Sequence, residues 1–197
     1  MRSPDVLHGT AGSRSSKMSD KEHKEGCNCH HQPTEAELIA SQADLKVNLA
    51  VIWINSNRLD VAEIHLAAAS KLYSMSGLEK RAPTSYYFAR SAIAQKRGQS
   101  KAALRHSRKA FAVARAHHAE DSHQFAVAQA NFGECLAEAG NKTAGLEAMA
   151  EGLAKLKAAD VGSDQMMIAW KENAIKEIAE NLARLSSAVS LCSCGLH

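Results

Sequence analysis

Apolar residues recur at intervals of three and four along most of the chain, from residue 34 to about residue 185. This spacing places them on one side of an α-helix, whereas a half-buried strand would alternate apolar and polar positions. Prolines, glycines and short polar turns interrupt the pattern, so the sequence predicts seven helices. Their predicted ranges are 34–55, 61–75, 85–97, 100–118, 123–139, 143–159 and 164–185.

Residues near the predicted helix starts fit known capping patterns. Thr34 and Glu37 form a capping box, in which each side chain satisfies a free backbone amide of the first turn. We predict further caps at Asp60, Thr84 and Asp121, because Asp and Thr side chains accept hydrogen bonds from such amides. These positions divide the chain into the same seven segments as the apolar pattern.

The turns within three successive helix pairs repeat along the chain. Asn57, Gly98 and Gly140 lie 41 and 42 residues apart and align the pairs. Three aligned positions hold a small residue in every pair, and because small side chains let two helices approach closely, we predict tight packing there. These positions are Ala50, Ser91 and Gly133; Ala62, Ala103 and Gly145; and Ala69, Ala110 and Gly152.

Each repeat has a small residue before the turn, Gly or Asn in the turn, and Ala or Gly at two later positions. This pattern makes residues 43–160 resemble the tetratricopeptide repeat family. The period is longer than the usual ~34 residues, so the chain is similar to a long variety of about 42 residues. The resemblance implies an all-α fold, namely an α-solenoid of three helix pairs with a capping helix at 164–185. It also implies a non-enzymatic adaptor or scaffold that binds a protein or peptide on its concave face.

The resemblance also indicates which residues would line that face. Members of the family that grip a C-terminal carboxylate use Lys, Asn and Arg, but here the slots hold Val47, Val51, Ala89 and Val127, with only Asn131 polar. We therefore predict no carboxylate clamp but a mixed groove for a helix or an extended segment. The predicted partner-binding residues are Phe88, Gln95, Lys96, Asn131, Glu134 and Glu138. The alternative is that they form ordinary solvated helix faces.

The first 33 residues differ in composition from the rest. Residues 1–33 have few apolar side chains and no helical period, so we predict that they form a disordered arm. We predict a helical domain at 34–187 and a flexible tail at 188–197. No stretch fits a secretory signal. Residues 1–17 resemble an organelle transit peptide, or they are an upstream extension and Met18 is the true start. The compartment stays open, with the cytoplasm favoured.

Charge, hydropathy and motifs narrow the classes of function. The chain has 24 Lys and Arg against 21 Asp and Glu, a net charge of +3, which is too balanced for a nucleic-acid-binding face. The longest apolar run, Leu49 to Ile54, is far shorter than the ~20 residues of a membrane-spanning helix. The sequence has no P-loop, G-x-G-x-x-G or G-x-S-x-G motif. We predict that the protein is not an enzyme, binds no nucleic acid and has no membrane span.

Cysteine and histidine are the remaining residues with candidate chemistry. Cys135 lies close to the small position Gly133, which predicts a buried thiol. One loop gathers imidazoles and carboxylates that could bind zinc or nickel, although polar loops often carry such residues without a ligand. Its residues are His117, His118, Glu120, Asp121 and His123.

Both ends of the chain contain a Cys-x-Cys pair with histidine nearby. Thiolate and imidazole suit zinc or copper, although structural zinc sites typically separate their cysteines by two to four residues. The candidate metal ligands are Cys27, Cys29, His30, His31, Cys192, Cys194 and His197. If these residues bind metal, the protein is a metal carrier or accessory protein. A homodimer would bring the N-terminal ligands of one chain to the C-terminal ligands of the other more easily than a single chain could bring its own two ends together. Passive tails, redox chemistry and lipid attachment are the alternatives.

Overall fold

The structure, a computed structural model, describes residues 32–77 and 83–193, with side chains described as far as residue 187. All regular structure in these ranges is α-helical, which confirms the all-α class. The helices are α1 (Glu35–Asn55), α2 (Leu59–Met75), α3 (Thr84–Lys96), α4 (Ser100–His117), α5 (His123–Glu138), α6 (Lys142–Ala158) and α7 (Gln165–Ser193). The arm predicted at 1–33 lies almost entirely outside the described residues.

The first helix begins at its predicted capping box. The Thr34 amide donates to Glu37 Oε2 at 2.7 Å, and the Glu37 amide donates to Thr34 Oγ1 at 3.3 Å. Two backbone amides that the helix cannot satisfy are therefore bonded by side chains. This end of α1 was fully specified by four consecutive residues.

The other three predicted caps are wrong. Asp60 lies within the first turn of α2, whose N-cap is Arg58, and Thr84 is the first residue of α3. Ser122, the neighbour of Asp121, caps α5 and accepts a hydrogen bond from the Phe125 amide at 3.2 Å. Asp60 instead forms an ion pair with Arg97, whose Nη2 lies 2.9 Å from Asp60 Oδ1.

Three short turns join α1 to α2, α3 to α4 and α5 to α6, and they share one backbone geometry. Asn57, Gly98 and Gly140 have positive φ angles of 56°, 69° and 106°. In each turn this residue donates its N–H to the carbonyl three residues earlier, and the next residue donates to the carbonyl five residues earlier. These two bonds define the Schellman motif. The turns that align in the sequence are therefore equivalent in the structure.

Substitution of Gly98 tests the backbone of these turns alone, because a methyl group there would meet nothing within 4 Å. A left-handed conformation costs an alanine ~1–2 kcal/mol, so Gly98→Ala should lower the free energy of unfolding by about that amount in urea denaturation followed by circular dichroism. Gly98→Asn is the matched control. It should lose clearly less, since Asn57 adopts the equivalent conformation in the first turn. Equal losses in the two variants would contradict this explanation.

The turns fold the helices into pairs that pack on one another. α1 packs on α2, α3 on α4 and α5 on α6, and further contacts join α1 to α3, α4 to α5, and α7 to both α5 and α6. The nine small residues aligned in the sequence are all buried. The prediction that they mark tight packing positions is confirmed.

α5 and α6 touch through their backbones. A methyl group added to Gly133 would lie 2.6 Å from the Gly145 carbonyl oxygen, and one added to Gly145 would lie 2.5 Å from the Ala137 nitrogen. At Gly152 the added carbon would lie 2.7 Å from the Ala130 nitrogen. These separations are shorter than any carbon can make with a backbone atom. Only glycine lets the two helices adopt this spacing.

α7 closes the C-terminal end of the described structure. Ile178 and Leu185 are buried, and Ile178 packs with Leu153 and Leu156 of α6. The helix continues to Ser193, so it runs through part of the segment predicted as a flexible tail. The hydrophobic contacts with α6 account for its attachment, because each buried aliphatic side chain contributes about 1.5–3 kcal/mol.

α1 differs from the other helices in the number of large apolar residues that it leaves exposed. Leu38, Leu45, Leu49 and Ile52 are 40–61% exposed and recur at helical spacing. No helix packs over this side of α1 in the described part of the chain. None of the described helices combines the length and apolar character needed to cross a membrane.

Candidate functional site

A pocket of about 240 Å³ opens where α1, α3 and α5 face one another. Val51 and Ile54 of α1 and Phe88 of α3 supply an apolar wall. Gln95 of α3 and Asn131 of α5 supply amide groups. A pocket of this kind, with an apolar surface and a few polar groups, can hold a side chain and orient the backbone next to it.

Four of the six predicted partner-binding residues line this pocket: Phe88, Gln95, Asn131 and Glu134. Glu138 lies beside it, and its Oε2 accepts a hydrogen bond from Gln95 Nε2 at 3.2 Å. Lys96 does not line the pocket, and its side chain is exposed to solvent. These five residues of α3 and α5 come together because both helices border the same opening.

α7 adds charged residues that the sequence did not identify. Arg184 Nη2 lies 3.3 Å from Glu134 Oε1 and 3.4 Å from Glu138 Oε1. Glu177 of α7 lines the same pocket as Glu134. Helical periodicity predicted α7 itself, but no local signal shows which side of the last helix turns toward α5. Glu134 and Glu138 therefore share one guanidinium, and Glu177 adds a third carboxylate close to Glu134.

Glu134 is the most strongly perturbed of these carboxylates. Its side chain is only 16% exposed. Burial, followed by repulsion from Glu138 and Glu177, raises the pKa of Glu134 to about 7, although Arg184 partly offsets the increase. A carboxyl group that titrates near neutral pH responds to any cation brought next to it, because a nearby positive charge favours the ionised form.

Cys135 occupies the core next to the pocket, as predicted. It is 1% exposed, and its Sγ lies 3.3 Å from Ser91 Oγ, which in turn bonds to the Ala103 carbonyl oxygen at 3.0 Å. Burial raises the pKa of the Cys135 thiol. Nucleophilic or metal-binding cysteines require an accessible thiolate, so this residue has a packing role.

The histidine-containing loop between α4 and α5 does not assemble a metal site. In the part of the chain that the structure describes, which includes the whole of this loop, no three His, Cys, Asp or Glu side chains converge. His123 instead packs edge-on against Trp170 of α7, with ring centres 5.3 Å apart. Burial, followed by the charge of His118, lowers the pKa of His123. The structure therefore gives no support to a metal site at this loop and agrees with a polar loop without a ligand.

The metal-ligand candidates at the chain ends cannot be placed. Six of them lie outside the described residues: Cys27, Cys29, His30, His31, Cys194 and His197. Cys192 belongs to the backbone of α7, but its side chain is not among those described. The zinc or copper site at the termini stays a prediction.

Comparison of the chain with protein-family models, curated proteins and solved structures gives no match. Function must accordingly be inferred from the pocket and from the residues around it.

Proposed function

We propose that the protein is a non-enzymatic interaction module whose groove along α1, α3 and α5 binds a segment of a partner protein. In this proposal the three helix pairs form a tetratricopeptide-like α-solenoid, and α7 is its terminal capping helix. The equivalent Schellman turns and the buried small residues support a repeated architecture. Stacked helix pairs typically use their concave surface for binding.

The observation that carries the proposal is the mixed chemistry of the 240 Å³ pocket. Phe88 and its apolar neighbours can take an aliphatic side chain of the partner. Gln95 and Asn131 each offer a donor and an acceptor, which is the combination needed to bond a peptide backbone. Glu134 and Glu177 favour a basic residue close to that aliphatic side chain. We therefore expect the bound segment to combine a Lys or Arg with a nearby Leu, Ile or Val.

A random dodecapeptide display library tests this function directly. Selection on the full chain at pH 7.5 should enrich peptides with the basic and aliphatic combination. Synthetic copies of the enriched peptides should bind in fluorescence anisotropy, and Phe88→Ala should weaken them at least about tenfold, or ~1.4 kcal/mol. Ser85→Ala is the matched control, because it changes an exposed residue of the same helix outside the pocket and should leave the affinity unchanged.

The same peptides separate this function from metal transport. A variant with serine in place of Cys27, Cys29, Cys192 and Cys194 should bind them with the affinity of the natural chain. Loss of binding in that variant, or enrichment of peptides that bind equally well to Phe88→Ala, would reject the groove as the binding surface. Circular dichroism of each variant shows that the helical fold is kept.

A further inference from the structure

A second pocket, of about 290 Å³, lies between α2, α3 and α4, and its chemistry is different. It is close in size to the smallest ligand pockets of proteins, which begin at ~300 Å³. Its described lining residues are three tyrosines, one arginine, one lysine, one histidine and one serine, with no carboxylate among them. The aromatic and basic lining residues are Tyr73, Tyr86, Tyr87, Arg90, His106 and Lys109.

Both cations are held over tyrosine rings. The Arg90 guanidinium lies 5.7 Å from the centre of the Tyr86 ring, and its Nε donates to the Tyr86 hydroxyl at 3.3 Å. The Lys109 ammonium lies 5.8 Å from the centre of the Tyr87 ring. Among the described residues, no carboxylate lies within 4 Å of either cation. The rings orient their positive charge, and no carboxylate of the described residues neutralises it.

His106 adds a buried polar atom without a partner. Its Nδ1 is inaccessible to solvent and makes no hydrogen bond to any described residue. Such an atom costs ~1–3 kcal/mol, and a bound group that reached it would recover part of this cost. Burial, then the positive charges of Arg105, Arg90 and Lys109, lower the pKa of His106 to about 4. The ring is neutral at pH 7, and the field around it favours a negative charge.

The tyrosines form a wall of packed rings. Tyr86 meets Tyr73 and Tyr87 edge to face, with ring centres 6.0 and 5.2 Å apart. The Tyr73 hydroxyl donates to Asp44 Oδ1 at 2.5 Å, so this carboxylate of α1 is already bonded. An aromatic group entering the pocket would contact the accessible part of these rings, and aromatic pairs attract one another in edge-to-face or offset contact.

We propose that this pocket binds an aromatic phosphate monoester, with the phosphate between Arg90, Lys109 and His106 and the aromatic ring against Tyr86 and Tyr87. Arginine and lysine are the usual partners of phosphate oxygens. The dianion would also reverse the electrostatic field at His106 and favour its protonated form. The pocket opens between α2, α3 and α4 and shares no lining residue with the groove pocket. The inference is therefore independent of the proposed function.

Calorimetric titration of the full chain with phenyl phosphate and with inorganic phosphate at pH 7 tests the proposal. Phenyl phosphate should bind at least about tenfold more tightly than inorganic phosphate, because only the ester reaches the tyrosine wall. In proton NMR, the pKa of His106 should rise by more than about one unit when phenyl phosphate is added, since a bound anion stabilises the imidazolium. A structural role of these residues would not produce that shift.

Charge variants of α3 and α4 show whether binding depends on the two cations of the pocket. Arg90→Gln with Lys109→Gln should abolish phenyl phosphate binding, whereas Lys101→Gln, which removes an exposed cation of α4, should leave it unchanged. The proposal is overturned if the natural chain does not bind phenyl phosphate. It is also overturned if inorganic phosphate binds as tightly as the ester, or if the double variant and Lys101→Gln behave alike.

Discussion

Replacement of Gly145 by alanine is expected to destabilise the protein strongly, although alanine normally stabilises a helix. The added carbon would lie 2.5 Å from the Ala137 nitrogen and 2.6 Å from the Gly133 oxygen, and backbone atoms cannot move aside as a side chain can. α5 and α6 must separate along their whole contact. Overpacking of this kind typically costs ~1–3 kcal/mol and sometimes more, so we expect a loss of at least about 2 kcal/mol and a fall of roughly 4–8 °C in Tm.

The control for this variant lies on the exposed side of the same helix. Ala154 is exposed, and Ala154→Gly should cost only about 1 kcal/mol, the intrinsic difference in helix propensity. Thermal unfolding followed by circular dichroism measures both variants. If Gly145→Ala were as stable as the natural chain or more stable, the backbone contact between α5 and α6 would be disproved.

The second large effect is expected at Glu134, as a dependence of stability on pH. The pKa of Glu134 is about 7 in the folded chain against an ordinary value of 4.5. The folded state therefore binds this proton more tightly than the unfolded state, and the associated stability is complete below pH 4.5. It is lost as the pH rises through 7. A difference of this size corresponds to roughly 3 kcal/mol at high pH.

Glu134→Gln isolates this contribution, because glutamine resembles the protonated carboxyl at every pH. We expect the variant and the natural chain to be equally stable near pH 4. Above pH 8 the variant should be more stable by about 2–3 kcal/mol, measured by urea denaturation across this range. The difference between the two chains removes the opposing contribution of His106, whose lowered pKa makes stability rise with pH.

Glu147→Gln controls for the loss of one negative charge. Glu147 is an exposed carboxylate of α6, and its substitution should change stability by less than about 0.5 kcal/mol at each pH. A pH-independent difference between Glu134→Gln and the natural chain would show that Glu134 is not held in a desolvated position beside Glu138 and Glu177.

The parts of the fold that could be predicted are those specified within a few consecutive residues. The Thr34 and Glu37 capping box, the positive-φ turn residues and the apolar period of each helix are local, and the structure has all of them. The repeat alignment added non-local information, because small residues at equivalent positions predicted which helix surfaces meet. The resemblance to the tetratricopeptide repeat placed Phe88, Gln95, Asn131 and Glu134 on one face, and the structure brings these four residues to one pocket.

Asp60 was misassigned as a cap because its ion-pair partner is far away in the chain. Asp60 and Glu63 have the spacing of a capping box, yet both carboxylates lie within 3 Å of the Arg97 guanidinium, at 2.9 and 2.7 Å. The separation of more than 30 residues leaves no periodic signal. Arg184 is a similar case, since its contact with Glu134 depends on the rotation of α7 about its own axis.

The glycines shared by α5 and α6 also affect how these helices form. Each glycine in a helix interior costs about 1 kcal/mol in intrinsic helix stability, and α5 contains Gly133 while α6 contains Gly145 and Gly152. Neither helix is therefore expected to persist before its neighbour is in place. Amide hydrogens of α5 and α6 should exchange with solvent in a single cooperative opening event, because the two helices fold and unfold as one unit.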